Sequence, residues 1–165
     1  MESELLSRRL QDYLLQQIPI SGALGISVTE ASLEEILITA PLAPNVNHHG
    51  TAFGGSVNAV AILSGWALVY ARLAAEGQFP GIVIQHSEIR YLKPIEAAFA
   101  ARARLARPEK WPQFLQGLLR HGKARTVVAV EVQGSHRVSA RFLGTYVALG
   151  TTNVNEQQRT PAPDS

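Results

Sequence analysis

No cysteine occurs anywhere in this 165-residue chain. Disulfides, thiolate metal sites and cysteine nucleophiles are therefore excluded together, and a reducing, cytoplasmic setting is expected. Charge is also sparse: 17% of the residues are charged against 46% hydrophobic, the balance of a globular chain rather than a disordered one. The formal net charge is only +2, so no nucleic-acid partner is expected. The opening residues, MESELLSRRLQDYLLQQI, carry acids at Glu2 and Glu4 and no small-residue cleavage site, so they do not read as a secretory signal. A long uninterrupted apolar run is missing too. The stretch over residues 57–75 is broken by Asn58, Ser64, Gly65 and Arg72. It reads as a buried helix rather than a membrane span, and no membrane partner is expected.

What charge there is falls unevenly. Between Arg90 and Arg141 stand eleven Lys or Arg against Glu96, Glu109 and Glu131. Two readings fit this bias: an anionic partner, phosphate being a natural one, or a solvated sheet face that is basic.

One domain with a single core fits the length. Leu5, Leu6, Leu10, Tyr13, Leu14 and Ile18 recur at helical spacing, and Pro19 ends a helix over residues 2–18. Residues 25–30 and 33–39 read as a hairpin turning near Ala31 and Ser32. A loop follows from Pro41 to Gly54, then a helix over residues 56–75, apolar almost all round and closed by Gly77. Strands are expected at 82–92, 97–106, 126–133 and 138–149, with an irregular or partly helical connection at 108–121. This order predicts an α+β fold, a strongly curved antiparallel sheet wrapped on one long central helix, with an extra N-terminal helix. The organisation reads as an N-terminal helix at 1–19, the main domain at 20–150 and a polar, flexible tail at 151–165.

The densest chemistry lies in NVNHHGTAFGGS, residues 45–56. Gly54 and Gly55 stand just before a buried helix, where N–H groups are free and the helix dipole is positive. Such a terminus can hold a carbonyl oxygen and stabilise an oxyanion or enolate formed from it. Ser56 is expected to cap the helix, with contact to substrate as its other role. A metal site is not expected, because neighbouring histidines rarely converge and no Asp or Cys accompanies them. A P-loop is excluded because no Gly-Lys-Ser/Thr follows the glycines.

The run HHGTAFGGSVNAVAILSGWALV resembles the loop and central helix of hotdog-fold acyl thioesterases. More narrowly, it resembles the thioesterase domain of the YiiD C-terminal type. The segment Ile89-Arg-Tyr-Leu-Lys-Pro94 is similar to the strand and proline turn that follow that helix. The resemblance covers residues 20–149. It implies a homodimer or homotetramer with active sites between subunits. It also implies an acyl-CoA or acyl-carrier-protein substrate, with CoA or phosphopantetheine as part of the substrate and no separate cofactor.

In the phenylacetyl-CoA-thioesterase-like branch, an asparagine seven residues before the glycine positions the thioester and water, which assigns that role to Asn47. The same branch carries an acid eight residues after the glycine; here that position is Ile62, which cannot activate water. His48, His49, Ser64, His86 and Glu88 are the candidate substitutes. Adjacent histidines in an extended loop point opposite ways, so at most one of His48 and His49 is expected to face the site. Arg90, at the head of the basic segment, is grouped with His86 and Glu88 as substrate-binding. Phe53, Trp66, Trp111 and Phe114 are candidates for an acyl tunnel or plain core. Three functions stay open: thioester hydrolysis, decarboxylation of a malonyl-type thioester, which needs no activated water, and acyl-thioester binding without chemistry.

Overall fold

The computed structural model describes residues 1–150; the tail expected at 151–165 lies outside them. The chain opens with helix α1 (Glu2–Gln17), which turns Leu10 and Leu14 into the core. A short helix, α2 (Ile20–Leu24), follows and ends on Gly25 at φ 67°. This single turn is too short to leave a periodic signal in the sequence. Then come β1 (Ser27–Ala31), β2 (Glu35–Ala40) and the long helix α3 (Gly54–Ala75). After it lie β3 (Gly81–Tyr91), β4 (Phe99–Leu105), helix α4 (Trp111–His121), β5 (Lys123–Gln133) and β6 (Val138–Leu149).

The connection expected to be irregular or partly helical thus holds a regular helix from Trp111 to His121. Pro112 stands in its first turn, where no N–H partner is lost, and Gly122 closes it at φ 67°. α3 begins at Gly54, two residues earlier than expected, and β5 begins at Lys123 rather than residue 126.

The six strands form one antiparallel sheet in the order β1-β2-β4-β5-β6-β3. Cross-strand rows show how the sequence sets its two faces. The row Ile36, Ala103, Val130, Phe142, Ile89 packs on α3, with its first four members 0–2% exposed. The neighbouring row Leu37, Arg102, Glu131, Arg141, Arg90 lies on the outer face. Tyr146, fully buried, wedges between sheet and helix and donates a 2.7 Å hydrogen bond to the Ile62 carbonyl. Each fully buried Leu, Val or Phe in this core contributes about 1.5–3 kcal/mol.

α1 is held on both sides. Tyr13 stacks on Trp66 and Tyr70 of α3 at 5.5 and 4.6 Å between centroids. On the sheet side, Gln11 treats the outer edge of β1 as a strand would. Its carboxamide oxygen accepts from the Val28 N–H at 2.6 Å and its nitrogen donates to the Ile26 carbonyl at 3.0 Å. Ser3 donates to the Ala31 carbonyl at 2.8 Å. The β1 edge is therefore covered, whereas β3 forms the other edge, with no strand outside it among the described residues.

Part of the basic bias is neutralised on the outer face. Glu35 receives Arg102 and Arg104, and Arg141 stands 3.7 Å from Glu131. Hydrogen bonding from Arg104, reinforced by the charges of Arg102 and Arg104, outweighs desolvation and holds the Glu35 carboxyl below its usual value. A depressed pKa gives stability that is present above the unfolded-state value and is lost as pH falls through the folded one. Glu35→Gln is expected to lose roughly 1 kcal/mol at pH 7, and the difference should vanish in acid below the Glu35 pKa. Urea unfolding of both proteins along a descending pH series checks this.

Candidate active site

The loop before α3 is pinned by Asn45, which is 1% exposed. Its side-chain nitrogen donates to the Leu24 and Pro41 carbonyls at 2.9 and 2.8 Å, and its backbone carbonyl accepts from the Phe53 N–H at 2.7 Å. Asn47 closes the next turn. Its oxygen accepts from the N–H groups of His49 and Thr51, at 2.9 and 3.2 Å, and its nitrogen donates to the Thr51 hydroxyl at 2.9 Å. Asn47 therefore holds its own loop. Its oxygen is engaged, and one side-chain N–H is left over for a ligand.

His48 and His49 do not point opposite ways. Asn47 folds them into a turn that ends at Gly50, φ 76°, and their rings lie side by side with centroids 3.9 Å apart. Both are exposed.

Phe53, in extended conformation, is the residue before the helix, so Ser56 sits in the first turn and does not cap it; no side chain caps this terminus. The Val57 N–H reaches the Phe53 carbonyl, and the N–H groups of Gly54, Gly55 and Ser56 meet no acceptor among the described residues. Two aromatic rings explain the two glycines. A Cβ on Gly54 would meet Tyr91 Cζ at 3.2 Å, and one on Gly55 would meet Phe53 Cζ at 3.0 Å. The Tyr91 hydroxyl donates to the Gly54 carbonyl at 2.7 Å. Burial raises its pKa above the usual phenol value, so it remains a neutral donor. Phe53 and Tyr91 are nonetheless 57% and 52% exposed. Phe53 is thus neither core nor enclosed tunnel here, whereas Trp111 and Phe114 are core, each 6% exposed.

Four expected residues are elsewhere. Ser64 is 0% exposed and its hydroxyl donates back to the Ala61 carbonyl at 2.9 Å, so it is a packing residue unable to reach substrate. His86, Glu88 and Arg90 lie on the sheet's outer face, away from α3. Glu88 shares the row of Leu143 and Ala129, and His86 that of Thr145 and Val127. Glu88 and Arg90 line a separate outer cavity of about 470 Å³ with Glu131 and Arg141. The cause is a bulge between Ile84 and His86, which shifts the alternation by one residue.

Sequence reasoning missed Tyr91 and Asn58. Asn58 stands one turn after Gly54 and one before Ile62, so the three share a helix face. Its side-chain oxygen is buried without a partner. Ile62 itself is half-buried, and no carboxylate occupies its face of α3 between Asn58 and Tyr70. The described residues hold no cluster of His, Cys, Asp or Glu suited to a metal.

Comparison with known proteins agrees with this fold. The family described as "Putative thioesterase (yiiD_Cterm)" matches residues 7–150. A structure described as a "putative thioesterase" from Shewanella oneidensis is similar at 31% identity, covering 88% of this chain and 99% of that one, with a TM-score of 0.78. A protein of unknown function from Chlorobaculum tepidum is 25% identical over 90% of this chain and 97% of its own, with a TM-score of 0.84. The phenylacetic acid degradation protein PaaI from Thermus thermophilus shares the fold at 24% identity, over 79% of this chain and 99% of its own, with a TM-score of 0.61. With the long helix wrapped by six antiparallel strands, the chain has the hotdog fold and belongs to the yiiD C-terminal thioesterase family.

Proposed function

We propose that the protein hydrolyses an acyl thioester of coenzyme A or an acyl carrier protein, at a site completed between two copies of the chain. The observation that carries this reading is the head of α3, where Gly54, Gly55 and Ser56 present three unpaired N–H groups beneath exposed aromatic rings. The thioester oxygen accepts from these amides. Water adds to the carbonyl carbon, the amides stabilise the oxyanion, and the C–S bond breaks. The thiolate leaves and takes a proton, giving a free thiol and a carboxylic acid. The remaining Asn47 N–H and the His48 and His49 rings belong to the loop that leads to this terminus; in this reading Asn47 steadies the carbonyl and a histidine orients the water.

The bare β3 edge supports the dimer. Exposed Val83 and Tyr91 lie along it, while α1 covers the opposite edge. Antiparallel pairing of two β3 strands satisfies both edges.

The absence of a carboxylate at Ile62 favours a second reading, decarboxylation of a malonyl-type thioester. There the same amides stabilise the enolate left by carbon dioxide, and a proton then gives the acetyl thioester. A panel of acyl-CoA and acyl-carrier thioesters that includes malonyl separates the two. Free thiol with the matching acid supports hydrolysis; acetyl thioester supports decarboxylation. Binding without either product contradicts both and leaves acyl-thioester binding as the function.

Asn58 gives a sharper expectation. Asn58→Leu removes a buried oxygen that lacks a partner, so stability should hold or rise by up to about 1 kcal/mol. Turnover should fall about tenfold because a polar group beside the reacting carbonyl is gone. Thermal unfolding and kcat on the same preparation check both signs.

A further inference from the structure

A third strand edge is open, inside the sheet. The last pair of β4 with β5 is Leu105 with Val128. Residues 123–127 run on past it, so on that side they have no strand beside them among the described residues. Two hydrogen bonds show which backbone groups face the gap. The Gly122 carbonyl turns to the β6 side, where it accepts from the Gly150 N–H at 2.6 Å. The Val127 carbonyl turns the other way, to accept from the Ala106 N–H at 2.9 Å. Backbone groups alternate sides along a strand, and the β5–β6 register is unbroken from Lys123 to Val132. Lys123 and Arg125 therefore point both N–H and C=O into the gap, as Val127 does. These four groups find no partner among the described residues.

α4 leaves this edge uncovered. It packs on the inner face, with Phe114 and Leu118 buried and a Cβ on Gly117 placed 3.6 Å from that of Ala124. Between helix and strand edge lies a groove of about 420 Å³. All five residues from Lys123 to Val127 line it, so the backbone edge forms its wall rather than one face of the sheet. Arg107 and Lys110 line it from the turn where β4 ends. Neither they nor Lys123 and Arg125 make an ion pair among the described residues, whereas Arg102, Arg104 and Arg141 do.

We propose that this groove docks an acidic peptide segment of a partner protein, in extended conformation, added to the open edge of β5 as a strand in line with β4. A small anion would answer the cations and the N–H groups but leave the two carbonyls unpaired; a peptide strand answers all of them. Its reach is set by the open edge, five residues or ~17 Å. Lys123 and Arg125 share the outer face, so acids are required at every second position of the peptide. The site is separate from the α3 head and independent of the thioester reading.

The test is fluorescence anisotropy of a labelled peptide of alternating Glu and Thr, titrated with the full chain. Wild type is expected to bind it, more weakly as salt is raised. Lys123→Glu with Arg125→Glu, both exposed positions, should weaken binding about 30-fold, with unfolding curves matched to wild type. Two N-methylated peptides carry the same charge and separate strand pairing from simple attraction. Methylation of one alternate set of residues removes the N–H groups that face β5 and should cost about tenfold or more; methylation of the other set should cost little. No binding by wild type, equal affinity for the two methylated peptides, or unchanged affinity in the charge-reversed variant overturns the proposal. Displacement of the probe by inorganic pyrophosphate as readily as by unlabelled peptide overturns it in favour of an anion site. Self-association of the wild type that the variant loses, with no probe bound, gives the edge to a second copy of the chain instead.

Discussion

Gly65→Ala is expected to destabilise the protein by roughly 2 kcal/mol and to lower its melting temperature by roughly 4–8 °C. Gly65 has ordinary helical geometry, and alanine there would by propensity alone gain about 1 kcal/mol. The neighbour decides the sign. A Cβ at Gly65 would press on the Tyr146 hydroxyl and lie 2.8 Å from its Cζ. Tyr146 is 0% exposed, and its hydroxyl is tied to the Ile62 carbonyl, so the ring cannot swing aside. Either α3 shifts off β6 or the hydrogen bond breaks. Tyr146→Phe removes the nearest atom, so Gly65→Ala should cost about 1 kcal/mol less in that background. Thermal and urea unfolding of the four proteins, at one fixed concentration because a dimer is expected, measures the coupling.

Gly54→Val should do the opposite, sparing the fold and removing the activity. Its Cβ would meet Tyr91 side-chain atoms at 3.2 Å, but Tyr91 is half-exposed and its ring is free to turn. The unfolding midpoint should move little. At the α3 head, however, the added side chain fills the space a thioester carbonyl must enter. The Tyr91 bond to the Gly54 carbonyl is lost with it. Obstructing amides of this kind should lower turnover about 100-fold, the order found when one oxyanion donor is removed. Wild-type and variant unfolding curves show whether the fold is spared.

Much of the architecture was legible in the sequence because period and punctuation agree. The apolar run of α3 with Gly77 behind it, and the alternation of β4, were read as the elements they form. α4 was read only as irregular or partly helical, although Pro112 and Gly122 bracket it and Trp111, Phe114, Leu115, Leu118 and Leu119 recur at helical spacing; its short length and Gly117 within it weaken that signal. The site was less legible, for identifiable reasons. Gly54 and Gly55 were recognised as the helix head, yet the aromatic rings that demand them come from Phe53 and from Tyr91, thirty-seven residues on. Counting by twos from Ile82 and Ile84 sends His86, Glu88 and Arg90 toward the helix; the bulge before His86 sends them out. Asn45 and Asn47 look alike in sequence, but Asn45 is buried as the loop's anchor and Asn47 closes a turn. That turn sets the two histidine rings side by side, which no extended-loop reading produces.

The central claim is that the amides at the head of α3 receive a thioester carbonyl. The most direct measurement is kcat/KM for thiol release from a cleavable acyl-CoA, taken for wild type and Gly54→Val at matched folded fraction. A wild-type value about 100-fold higher is the result expected here. Equal values, with thiol release intact in both, would contradict the claim and move the chemistry away from this helix terminus.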